Sequence, residues 1–332
     1  MAEPRITIIG LGLIGGSIGM AIKASGKPVH VVGHDRDFTR NRLAKKMGAI
    51  DGGSINLINA CQDASLVIIA TPLTAIRETL SNIGPHLKQG CVVTDTATLK
   101  EPVLAWAAET LPPGVSFIGG DPMLNLKSQS SDSKVLEGLE SARADLFQDA
   151  LYALCPLPTA DPKAVKLMTD LTGAIKARPL YMDPVEHDGL RAAVRGLTGL
   201  VSLALMRQAA GAPSWREARK IAGLRFSMAT ESLADDVDVQ RAEILLNAGH
   251  LLPRLEALID ELRLLGAWLR AEDADALGQV VEGMASARDR WLVDSETANW
   301  EDRSGEMAVP GVMDSFGRML GMSRGPRKPE EK

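Results

Sequence analysis

Along the first 155 residues, short apolar runs alternate with longer stretches whose apolar residues return at helical spacing. That alternation predicts strands at Arg5–Ile9, Val29–Gly33, Leu66–Ala70, Cys91–Asp95, Val115–Ile118 and Leu151–Leu154. Between them, Ile14–Ser25 and Phe38–Met47 read as helices with one polar face. Strands separated by helices are the pattern of a parallel sheet with helices on both faces. After Asp161 the strand signals fade. Asp161-Pro162 opens a helix in cap and first-turn order, and Gly173 closes it; Asp183-Pro184-Val185-Glu186 opens the next as a capping box. Further on, Leu251, Leu255, Leu258, Leu262 and Leu265 recur at alternating spacings of four and three. They mark a helix that buries one face, either in the chain's own core or against a second subunit. Pro253 must lie near the start of that helix or kink it.

The expected fold is therefore an α/β Rossmann domain, doubly wound with a mostly parallel sheet, followed by an all-α second domain. Expected bounds are 1–158 for the dinucleotide-binding domain and 159–296 for a helical substrate and dimerisation domain. Residues 297–332 are expected to form a disordered tail, with Val312–Met322 a short amphipathic piece and Lys127–Ser133 a polar loop. At 332 residues the chain is long enough for two cores.

Composition narrows the partners. A formal net charge of -5, from 37 basic and 42 acidic residues, gives no electrostatic reason for nucleic acid or an anionic membrane. The uncharged run Ile6–Ile22 is short for a span and rich in glycine, and the start Met1-Ala2-Glu3-Pro4-Arg5 does not read as a signal peptide. Cys61, Cys91 and Cys155 are widely spaced and odd in number, which fits a reduced cytoplasm. No metal is expected.

The chemistry begins at Gly10-Leu-Gly12-Leu13-Ile14-Gly15. A GxGxxG between a strand and a helix lets the chain turn tightly at Gly10, bring backbone to a pyrophosphate at Gly12, and pack helix on strand at Gly15. The free amides of Leu13 and Ile14 at the helix start then face the phosphates. Asp35 stands 20 residues after Gly15, where a carboxylate accepts the ribose hydroxyls and repels a 2′-phosphate, favouring NAD. Arg36 beside it keeps NADP open. Ala70-Thr71-Pro72 and Asp95–Lys100 end two further strands at the sheet edge where cofactor and substrate contacts gather. Thr71 and Asp95 could equally cap the helices that follow.

With these motifs in place the sequence resembles the prephenate and arogenate dehydrogenases over about residues 5–292. Gly10–Ser17 is very close to that family's glycine loop, and Asp35-Arg36 and Thr71-Pro72 sit where its nucleotide contacts sit. Asp95–Lys100 resembles an Asp-x-x-Ser-x-Lys segment with Thr98 for serine, and Gly119–Met123 a Gly-x-His-Pro-Met loop. His187-Asp188 matches a His-Asp pair, and Trp215–Ala222 a Phe-Arg-Asp-x-Thr-Arg-Ile-Ala segment. The resemblance implies NAD(P)-dependent oxidative decarboxylation of a small carboxylate substrate in tyrosine biosynthesis.

The chain departs from the pattern in its substrate half. The family's hydroxyl-polarising histidine is Asp121 here, and its Ser-His-Leu-Pro-His motif reads Arg195–Gly199. An arginine expected to hold substrate carboxylate aligns with Lys220, which keeps the charge without the planar fork. The expected catalytic residues are Asp121, as acceptor of a hydroxyl proton, and Thr98; Arg195, Arg216 and Lys220 are the expected carboxylate holders. His187, Arg191 and Arg195 lie at i, i+4 and i+8 on one helix face, lining a cleft or forming a solvated basic face. Two alternatives stay open: another NAD(P)-dependent dehydrogenase or reductase on the same fold, or an NAD-binding regulator without turnover.

Overall fold

The structure, a computed structural model, describes residues 3–125, 137–297 and Trp300. The chain forms two compact units, Met1–Leu262 and Arg263–Lys332. The loop expected at Lys127–Ser133 and most of the expected tail, including Val312–Met322, lie outside the described residues.

The first unit is built on one eight-stranded sheet: β1 (Arg5–Ile9), β2 (His30–His34), β3 (Gly52–Gly53), β4 (Leu66–Ile69), β5 (Val92–Asp95), β6 (Ser116–Met123), β7 (Leu151–Cys155) and β8 (Arg178–Tyr181). Their order is β3-β2-β1-β4-β5-β6-β7-β8. All pairings are parallel except β6 with β7. The chain leaves β1 in one direction and returns at β4 in the other, so a crevice opens between their carboxyl ends, where α/β sheets bind ligands. Buried aliphatic residues coat both faces, with Ile8, Ile18, Ile68 and Leu154 on one side and Ile69, Ile76, Leu80 and Val93 on the other. The run Ile6–Ile22 is thus a strand, a glycine turn and helix α1 (Leu13–Ala24), one layer of this core.

Three strand readings are corrected, the smallest being the unexpected two-residue edge strand β3, whose glycines carry no strand signal. Strand β6 does not stop at Ile118 but continues through Gly119–Met123, pairing Asp121 with Ala153 of antiparallel β7. A segment read as a loop, because it holds two glycines and a proline, is carried into the sheet by a partner over 30 residues away. Strand β8 was not expected at all. It lies past residue 158, on the sheet edge, and its exposed, proline-containing Arg178-Pro179-Leu180-Tyr181 lacks an apolar face.

Helices α2 (Phe38–Lys46), α3 (Leu57–Cys61), α4 (Leu73–Ile83), α5 (Glu101–Thr110) and α6 (Pro162–Ala174) pack on the sheet. After β8 the regular elements among the described residues are helical. Asp183 caps α7 (Pro184–Arg191), accepting from the Val185 and Glu186 amides. A wider turn at Ala192–Gly196, with bonds of the i→i+5 kind, joins α7 to α8 (Leu197–Gly211). Then follow α9 (Trp215–Ile221), α10 (Leu224–Ala229), α11 (Val237–Leu246) and α12 (Ala248–Ala271), with Pro253 in the second turn of α12. Leu251 is buried, Leu255, Leu258 and Leu265 are half-buried, and Leu262 is exposed. The second unit holds the end of α12 and helix α13 (Ala274–Thr297).

Candidate functional site

The glycine loop closes on itself through backbone. Gly10 has φ +91°, a left-handed value that favours glycine, and a Cβ there would meet Ala70 O at 2.5 Å. A Cβ on Gly15 would fall 2.0 Å from Gly10 O, so helix α1 can sit on β1 only without it. At Gly12 a Cβ would meet nothing within 4 Å among the described residues, which is the open space a pyrophosphate needs. Gly12 caps α1 with no side-chain bond, so the first amides of the helix, Leu13 and Ile14 among them, are left to a ligand. Asp35 turns inward: its Oδ2 accepts from the Leu11 amide at 2.8 Å, within the glycine turn. Arg36 turns outward and pairs with Glu78 at 3.5 Å. Thr71, just past β4, holds a buried hydroxyl with no partner among the described residues, and Pro72 caps α4. An open phosphate cradle, an inward acid and an orphaned hydroxyl fit a dinucleotide.

Beyond β5 lies a network of buried charges. Lys100, wholly buried, ion-pairs with Asp95 and donates to Gly120 O at 2.6 Å. Burial raises the Asp95 pKa, opposed by Lys100 and by the Gly120 and Ala97 amides. Asp121, carried inward by β6, receives Arg191 Nε at 2.7 Å and His187 Nε2 at 3.0 Å, both on Oδ2. His187 Nδ1 meets Asp188 Oδ1 at 2.8 Å, while the Asp188 carboxylate accepts the Lys100 and Glu101 amides at 2.7 and 2.9 Å. With a carboxylate at each ring nitrogen, His187 satisfies both only as imidazolium. Burial works against that charge, but the bonds to Asp121 and Asp188 outweigh it and raise the pKa. Burial likewise works against the Asp121 anion, and the Arg191 charge with the His187 bond outweighs it, so the pKa is lowered. Removing one member of such a set costs about 3–5 kcal/mol, because the others stay buried without a counter-charge.

Beside this network a cleft opens, lined by Thr98, Arg191, Arg195, Ser232, Asp235 and Glu243 among others, with Leu203, Ile244 and Leu251 as apolar wall. Thr98 donates to Glu243 Oε1 at 2.5 Å. Arg195 Nε reaches Glu243 Oε2 at 3.2 Å, and its Nη2 reaches Asp235 Oδ2 at 3.3 Å. Gly196 and Gly199, standing where the resemblance expects histidines, also line this cleft.

The structure thus brings Thr98, Arg191 and Arg195 to one cleft and sets Asp121 behind Arg191. Asp121 itself is 2% exposed and is not among the lining residues. Arg216 and Lys220, expected to hold a carboxylate, are instead turned to solvent, with side chains 86% and 60% exposed, and both pair with Glu217. The short helix α9 has no buried residue, so nothing in this unit aims it at the cleft. Sequence reasoning missed Asp235 and Glu243. Neither belongs to a motif, and Glu243 meets Thr98 from 145 residues away.

The family model described as "Prephenate dehydrogenase, nucleotide-binding domain" matches residues 18–181, ending with β8. A prephenate dehydrogenase of Bacillus subtilis is 29% identical over 291 residues, covering 86% of this chain and 76% of its own. A cyclohexadienyl dehydrogenase of Zymomonas mobilis is 27% identical, covering 82% and 91%. In fold, a crystal structure of prephenate dehydrogenase from A. aeolicus, in complex with hydroxyphenyl propionate and NAD+, aligns with a TM-score of 0.77 at 21% identity, over 87% of this chain and 99% of that one. Family model, relatives and fold together support the prephenate/arogenate dehydrogenase family for this chain.

Proposed function

We propose that the protein is an NAD-dependent dehydrogenase that oxidises and decarboxylates a carboxylated cyclohexadienyl substrate of the prephenate or arogenate type. The observation that supports this most is Thr98: it ends the β5 loop at the cofactor edge of the sheet and lines the charged cleft as well. In this reading Gly10, Gly12, Leu13, Ile14 and Gly15 cradle the pyrophosphate. Asp35 takes the adenosine ribose, Arg36 stands at its rim, and Thr71 and Pro72 border the crevice. An acid rather than a free arginine facing the ribose favours NAD over NADP. Bound NAD supplies the acceptor for hydride from the carbinol carbon.

The chain's own part is to orient and to move a proton. Arg191 and Arg195 hold carboxylate in the cleft, and Thr98 takes the substrate's polar edge. Asp121 accepts the hydroxyl proton as the carbon–oxygen double bond forms. Among the described residues its three side-chain contacts, one from His187 and two from Arg191, converge on Oδ2, so Oδ1 is the oxygen assigned to the hydroxyl. The ring carboxyl leaves as carbon dioxide, and its bonding pair completes the aromatic ring. In this scheme the sheet with its flanking helices carries the cofactor, and the helices after β8 join Thr98 and Asp121 in holding the substrate. We also assign a homodimer through the helices. The run Pro184–Gly211 is long and apolar enough to cross a membrane by length and composition, yet little of it is buried. Arg191 and Arg195 lie along it, and Leu190, Val194 and Val201 stand exposed, a surface suited to a second copy rather than to lipid. Three free, buried cysteines fit a cytoplasmic setting.

One observation favours a second reading. Asp121, in place of the family's histidine, is an anion already held by two cations, and an anion beside a dianionic substrate is electrostatically costly. That favours a different dehydrogenase or reductase substrate on the same fold, or an NAD-binding regulator. Purified protein with NAD and either prephenate or arogenate, followed at 340 nm, decides. NADH formed from one of them supports the proposal; tight NAD binding with no NADH from either overturns it.

A further inference from the structure

Every cation that lines the cleft is already matched by an anion of the protein. Arg191 is held by Asp121, and Arg195 by both Glu243 and Asp235. Two guanidinium groups therefore face three carboxylates. His187 adds a positive charge, but Asp121 shares it with Asp188. A substrate with two carboxylates and no cation would meet Glu243 and Asp235 head on. Its second anion could be seated only by breaking a pair that Arg195 already makes. A substrate carrying one ammonium group gains where the other loses, since a carboxylate in a partly dry cleft attracts a cation far more strongly than one in water. The cleft wall also holds Ser232, whose hydroxyl oxygen is buried with no partner among the described residues, three residues before Asp235. Two carboxylates and a hydroxyl in one lining suit an –NH3+ group with three hydrogens to place.

We propose that Glu243, seconded by Asp235, determines specificity by binding a substrate ammonium, so that the preferred substrate is an α-amino acid and its 2-oxo counterpart is turned away. This rests on the reading that the cleft holds the substrate. The amino acid's α-carboxylate lies toward Arg195 and its ammonium toward Glu243 Oε1, the oxygen to which Thr98 donates. Thr98 thereby fixes the rotamer of Glu243.

Arogenate and prephenate differ in this one feature, ammonium against oxo group, and make the test. With the full chain and saturating NAD, kcat/KM for arogenate is expected to exceed that for prephenate at least tenfold. Glu243→Gln is expected to lower the arogenate value at least tenfold, mainly through KM, while the prephenate value holds or rises. Asp235→Asn is expected to move the ratio the same way by a smaller factor. Unchanged NAD affinity checks that each variant is folded. Preference of the native protein for prephenate, or equal losses on both substrates in Glu243→Gln, overturns the inference and leaves the dehydrogenase reading standing. If neither substrate is oxidised, the dehydrogenase reading fails, and calorimetry with NADH present still decides the inference. Tyrosine bound more tightly than 4-hydroxyphenylpyruvate, with the difference lost in Glu243→Gln, supports it; no such difference overturns it.

Discussion

The cofactor cradle and the charged cleft are built from different materials. The cradle is backbone: a left-handed glycine, a helix start without a side-chain cap, and one inward aspartate within 25 residues of the turn it braces. The cleft is side chains that meet across long separations, 70 residues for Arg191 with Asp121 and 145 for Thr98 with Glu243. A backbone site tolerates few substitutions, because it depends on atoms that must be missing. A side-chain site can be rebuilt by exchanging one partner and then the other, as long as charge stays matched. The family likeness divides in the same way, close in the glycine loop and altered where the substrate motifs stand.

Substitutions test how deep that contrast runs, and the largest effect belongs to the cradle. Gly15→Ala puts a methyl against Gly10 O and is expected to weaken NAD binding at least 100-fold, about 3 kcal/mol, by calorimetry. Near-native affinity in this variant would mean that the backbone half is as adaptable as the other. Next comes Asp121→Asn, which removes the proton acceptor with little change of shape. Its kcat is expected to fall about 100-fold, the lower end of what a positioned base supplies, with NAD affinity intact. An unchanged kcat would reduce Asp121 to a prop for Arg191. Asp35→Ala is expected to cost about tenfold, roughly 1.4 kcal/mol, in NAD affinity and to narrow the gap to NADP. NADP left as weak as before would show that Arg36, paired with Glu78, takes no part in cofactor choice.

The contrast also explains what could be read from the chain. The spacing of Gly10, Gly12 and Gly15 between a strand and a helix, and Asp35 downstream, are local facts, and the structure sets them as the motif requires. The helix caps at Asp161 and Asp183 are equally local. Strand β8 was illegible because an exposed edge strand carries no apolar alternation, and β6 because its pairing with β7 overrides two glycines and a proline. In the cleft, helical periodicity put Arg191 and Arg195 on one face without saying what either would meet. Asp235 and Glu243 had no signal, since an acid on a polar helix or bend looks solvated until its partner is known.

The smallest effect isolates the pairing within the buried network. His187 lies between Asp121 and Asp188, with the Lys100 charge acting against its own and Arg191 sharing Asp121. Its pKa is raised above the ordinary 6.5, so the folded protein holds the imidazole proton more tightly than the unfolded chain does. The stabilisation is then fully present below the ordinary value and is lost as pH rises through the folded one, where neutral imidazole can donate to only one of the two carboxylates. His187→Gln, which can never carry the charge, should therefore differ most from the native protein in acid. The Tm gap between them is expected to be wider at pH 6 than at pH 9, by about 2–4 °C for each kcal/mol of proton-linked stability. A gap of the same size at both pH values would show that His187 packs without its charge. The balance of anions and cations behind Arg191 would then have to be drawn again, with Asp121 answering to Arg191 alone.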